Sequence, residues 1–185
     1  MSTHKLKTKQ SGMVMLMCMF FLVITMTLGA FAMRDITLSE KSAGNLMDKQ
    51  RSMHAAESAI RYAEWWLSLN NHGEIKDCTG IHDGNNISEM HICNSGLLNP
   101  NDLPWETYTT YKPDQMIIDT AGGLNSHGDT NYQAEPILHI QLIGENRRGK
   151  YFQITAAGFG GQENTKTIIQ TTYLHSVNSI NLGGL

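Results

Sequence analysis

Cys78 and Cys93 are the pair whose type and spacing speak most directly of chemistry. A bond between them would close a loop of about 15 residues, worth roughly 3 kcal/mol on a chain-entropy argument. Such a bond needs an oxidising compartment. A zinc site would need two further ligands, and no C-x-x-C or H-x-x-x-H spacing supplies them, so a disulfide is the better reading. Cys18 stands apart in an apolar run, where a thiol behaves as a small hydrophobe. Other chemistry is thin. There is no G-x-S-x-G, no H-E-x-x-H and no phosphate loop. Gly158-Phe159-Gly160-Gly161 lies between β-type segments, which makes it a turn rather than a nucleotide fingerprint. Asp83-Gly84-Asn85 starts like a calcium loop, but Ile87 occupies a ligand position and no closing Glu follows at the right distance. His72, His82, His91 and His127 fall on polar stretches without ligand spacing. No catalytic residue, metal set or cofactor is therefore assigned, and the chain is not read as an enzyme.

The compartment follows from the N-terminus. Met13 to Met33 holds no charged residue and, as a helix, would span roughly 31 Å, the thickness of a bilayer core. Val14, Leu16, Phe20, Phe21, Ile24 and Leu28 are among the residues that together favour insertion by about 3 to 5 kcal/mol. Lys5, Lys7 and Lys9 precede the run, which keeps the short N-terminus cytoplasmic and sends the chain after Arg34 outward. Ala30-Phe31-Ala32 would suit a signal peptidase, giving a soluble periplasmic binding module, yet the apolar run exceeds the usual signal core. Net charge is −3 and 17% of residues are charged. Nothing there forms the basic stripe that a nucleic-acid partner requires.

The elements that must position these residues are legible in outline. Met53, Ala56, Ala59, Ile60, Ala63, Trp66 and Leu67 recur at helical spacing, with Lys49, Arg51, Ser58, Arg61 and Ser68 between them. No proline precedes Pro100, so one helix can run from Met13 to about Leu69, with Gly29 and Gly44-Asn45 its weak points and Asn70–Gly73 its stop. Arg34 to Gln50 is too polar all round for a core and calls for solvent or a partner. Of the adjacent Trp65 and Trp66, one is expected to pack inward. Residues 73–135 are rich in turn chemistry, with short strands expected at Thr107–Lys112 and Gln115–Asp119. Ile137–Ile143, Lys150–Ala157 and Thr165–Leu174 then alternate with period two around turns at Gly144–Gly149 and Gly158–Asn164. Leu138, Ile140 and Leu142 are expected to face a core, and His139 and Gln141 to face away. The sum is an α+β fold, a long N-terminal helix packed on a small C-terminal antiparallel meander.

That plan resembles a type IV pilin. Lys9-Gln10-Ser11-Gly12 ahead of Met13 is similar to a prepilin peptidase site, which implies cleavage between Gly12 and Met13 and N-methylation of Met13. The stretch Arg34–Gln50, especially Ala43-Gly44-Asn45, and then Ala55-Ala56-Glu57-Ser58-Ala59 resemble the N-terminal module of the PilX minor pilins. Tyr151–Gly158 and Thr167–Thr171 are similar to that family's closing strands. The resemblance divides the chain into a leader at 1–12, a transmembrane helix at 13–33, an amphipathic continuation at 34–70 and a periplasmic head at 71–185. It implies an inner-membrane protein that enters a pilus. Its implied partners are the prepilin peptidase, other minor pilins, the major pilin and a PilY-type tip adhesin. Most major pilins carry a Glu five residues into the mature chain; Met17 stands there here, which fits a place at the filament tip. A K-type pseudopilin of type II secretion is the alternative, though those usually carry a larger extra domain.

Overall fold

The computed structural model describes residues 12–69, 75–118 and 131–176. The chain forms two compact units, residues 1–45 and 46–185. The first helix, α1, spans Met13–Ser68. Within the first unit its apolar side chains are exposed, among them Phe20, Phe21, Leu22 and Val23. Thr25 and Thr27 each return a hydroxyl to the carbonyl three residues back, at 3.0 and 2.8 Å, so neither leaves a donor unpaired in the apolar window.

In the second unit α1 buries a stripe of small residues, Ser52, Ala55, Ala56, Ala59 and Ala63, that ends on Trp66 and Leu67. Small side chains let the backbone come close to a sheet. At Gly158 any Cβ would collide with the Ser52 carbonyl and the Ala56 nitrogen. Met53, placed in the stripe by spacing alone, is instead 46% exposed. Its neighbour Ser52 takes the inward position and pairs its hydroxyl with Thr167 Oγ1 at 2.5 Å. Trp66 is the inward tryptophan and Trp65 the outward one.

The sheet has seven strands: β1 Ile75–Lys76, β2 Gly80–Asp83, β3 Ile92–Cys93, β4 Thr107–Thr110, β5 Ile137–Asn146, β6 Gly149–Phe159 and β7 Lys166–Ser176. β5, β6 and β7 form the antiparallel meander, with Ile140 opposite Ile154 and Ile154 opposite Thr171. The remainder is mixed. β4 runs antiparallel to β5, whereas β2 lies parallel to β4, and β3 parallel to both β1 and β5. β1 to β3 are two to four residues long, too short for any period to show. β5 runs on through Gly144 after a register shift, so the turn contracts to Arg147-Arg148. Gly149 closes it at φ +149°, a conformation L side chains rarely adopt. The segment expected as a strand at Gln115–Asp119 holds a turn and one isolated bridge, Ile118 to Tyr132; Asp119 lies outside the described residues. The helix stop at Asn70–Gly73, His72, His127 and the leader residues before Gly12 also lie outside them.

Both faces of the meander are covered over part of its length. Ala59, Ile60, Ala63, Trp66 and Leu67 of α1 pack with Leu138, Ile140, Phe152 and Ile154. On the opposite face Trp105, Leu97 and Leu103 cover Ile137, Ala157 and Ile168. This second cover corrects the expectation for His139, which is 5% exposed rather than solvent-facing.

Candidate functional site

Gly12 directly precedes the helix, and its carbonyl accepts from Leu16 N at 3.4 Å. Nothing lies within 4 Å of a Cβ built there, so a side chain at position 12 would meet open space. Met13 is 77% exposed. Alpha1 is long and apolar enough over its N-terminal part to cross a membrane, and none of that apolar window is buried. Cys18 lies within it, exposed and unbridged.

The head is fastened to α1 by polar contacts as well as by the alanine stripe. Asp48, only 6% exposed, accepts from Gly161 N at 2.6 Å and Gln162 N at 3.3 Å, holding the β6–β7 turn against the helix. Lys49 Nζ donates to the Lys166 carbonyl at 2.6 Å. The polar upper helix thus contributes to the head from Asp48 onward, a role its composition concealed. At the other end Tyr62 OH donates to Gly84 O at 2.5 Å and stacks on Tyr111 at 4.2 Å between centroids. Burial pushes both phenols above their ordinary range, with Tyr111 and Asp83 adding to the rise at Tyr62 and Asp114 to that at Tyr111.

Cys78 and Cys93 are bonded, with their Cα atoms 5.3 Å apart. The bridge ties the chain after β1 to β3, beside Gln141 of β5. The loop it closes contains Asp83–Asn86, whose side chains accept from backbone amides within the loop and from Lys112 beyond it. Asp83 Oδ1 accepts from Asn85 N, Asn86 Oδ1 from Ser88 N, and Asn85 Oδ1 from Lys112 N. Among the described residues no group of three potential ligands converges on a metal position. His82 and His91 stack at 4.6 Å between centroids, an arrangement that aligns ring faces rather than nitrogen lone pairs.

His139 lies under the loop cover, with Nε2 on the Ser95 carbonyl at 3.1 Å. Burial lowers its pKa below the usual imidazole value, against the opposing pull of the Ser95 and Thr107 carbonyls. Neither Asp48 nor His139 was found by sequence reasoning. A lone acid on a polar helix and a His in an alternating strand look solvated until their cover is known.

A membrane-length apolar helix window and a disulfide-tied α+β head, its β6–β7 turn clamped by Asp48, suit a protein that assembles with others. A family model described as "Type IV pilus assembly protein PilX C-term" matches residues 37–175, and the chain belongs to this PilX family of type IV pilus assembly proteins. Members are pilus components, so the chain's work is pilus assembly alongside other pilus proteins. No curated protein and no solved structure matches it.

Proposed function

We propose that the protein is a minor pilin. Prepilin peptidase cuts it between Gly12 and Met13, Met13 is N-methylated, and the apolar helix holds it in the inner membrane with its head in the periplasm. There it joins other minor pilins in a complex that primes assembly of the major pilin and carries a PilY-type adhesin to the tip. The observation that carries this reading is the position of Gly12 directly before a helix that continues unbroken through Ala30–Ala32. A cut after Gly12 retains the membrane helix, whereas a cut after Ala32 would discard it. The reading also draws on membership in a pilus assembly family.

The test is N-terminal analysis of the protein purified from membranes, beside a Gly12→Phe variant. The mature chain should begin at Met13, and the variant should accumulate as uncut precursor in cells with few or no pili. A mature chain that begins at Met33 would overturn the proposal.

A further inference from the structure

β7 has one strand neighbour among the described residues. It pairs with β6 in unbroken register from Lys166 to Ser176. A strand paired on one side turns about every second N–H and C=O away from its partner, and those groups template another strand. Proteins usually blunt such edges with proline, bulges or charge. Between Thr167 and Leu174 β7 has none of these; it is Thr-Ile-Ile-Gln-Thr-Thr-Tyr-Leu, rich in β-branched and aromatic residues.

Charge narrows the choice of occupant. At one end of β7 lie Lys49, Arg51 and Lys166, and at the other Arg147, Arg148 and Lys150, the last in register with His175. The nearby carboxylates are Asp48, already held by the β6–β7 turn, Glu163 in that turn, and Glu145 opposite Lys150. Both ends are therefore net cationic on a chain whose overall charge is −3. A second copy paired along this edge, in either direction, would set cations against cations.

The adjoining sheet surface adds an apolar seat. Ile143 is 52% and Leu174 42% exposed, and a cavity of about 390 Å³ opens between Ile143, Gly144, Tyr151 and Thr172. We propose that β7 is a docking edge for an extended segment of a different protein. That segment has a neutral, β-branched core with carboxylates at both ends, and a side chain beside Thr172 covers Ile143 and Tyr151. This rests on the reading that the chain assembles with other pilus proteins.

The probe is a synthetic peptide of about eight alternating valine and threonine residues between paired aspartates, added to the full-length protein in detergent. It should slow amide exchange in Ile168–Leu174. Replacing its aspartates by lysines should weaken binding about tenfold at low salt. N-methylating the alternate amides that face β7 should abolish binding, while methylating the other set should not. Lack of β7 protection, equal binding of the lysine peptide, or indifference to methylation would each overturn the inference. So would β7 protection that appears without peptide and rises with protein concentration, since that is self-pairing. None of these results would touch the leader-cleavage test, so the two proposals fail separately.

Discussion

One face of the meander lies under a continuous helix, and the other lies under chain with almost no regular structure. Under α1 the contacts are alanine backbone against sheet backbone, filled out by Ile60, Trp66, Phe152 and Ile154. Under residues 92–108 the cover is Trp105 with Leu97 and Leu103, and the chain there is held by a disulfide and by single hydrogen bonds such as Trp105 Nε1 to Pro100 O at 2.9 Å. The helical cover supplies its own backbone hydrogen bonds and needs only a stripe of small residues. Between β3 and β4 the loop cover has no ladder of its own, so cross-links and buried polar contacts must replace it.

The contrast predicts how each face fails. Ile60→Asp places a carboxylate in the helix–sheet core and should cost several kcal/mol, unfolding the head. Met53→Asp, about two turns away and exposed, should melt like the parent in circular dichroism. If the two variants melt alike, the helical cover does not hold the sheet. Removing Cys78 or Cys93 should cost about 2–5 kcal/mol. Amide exchange should then rise first in Ile92–Thr110 while β6 stays protected. Equal loosening of both faces would erase the distinction drawn here.

Asp48→Ala leaves the Gly161 and Gln162 amides without their acceptor, for an expected loss of about 1–3 kcal/mol in chemical denaturation. The smallest effect belongs to the loop face. The folded head prefers neutral His139, so the unfolded chain binds the proton more readily. Stability from this group is complete above about pH 6.5 and declines as pH falls from there toward the lowered folded-state pKa. His139→Gln should flatten that decline, seen as a smaller drop in Tm between neutral and mildly acidic buffer.

The same contrast governs what could be read from sequence. The helix-facing residues announced themselves because periods of 3.6 and two both point at a single core, and Ala56, Ile60, Leu138 and Ile140 fell where their spacing put them. Met53 misled because the stripe's small members, Ser52 and Ala55, carry little hydropathy. The loop face gave no period. β1 to β3 are too short, and their parallel pairings join segments distant in sequence, such as Gly80 with Thr107. Alternation in β5 therefore assigned His139 to water, when its outward face was waiting for Trp105 and its neighbours. At the site, the Gly12–Met13 junction and the two cysteines stood out by residue type, whereas the Asp48 clamp depends on a turn 113 residues away.

The three tryptophans divide the molecule optically. Trp66 sits under the helical cover with its indole N–H on Ile87 O, Trp105 under the loop cover with its own on Pro100 O, and Trp65 already faces outward. Each cover thus holds a native fluorophore that shifts to the red when that cover lifts, while Trp65 contributes a constant background. With Trp65 and one buried indole replaced by phenylalanine, emission from the remaining indole follows one face alone, and the order in which the two covers open becomes a matter of colour.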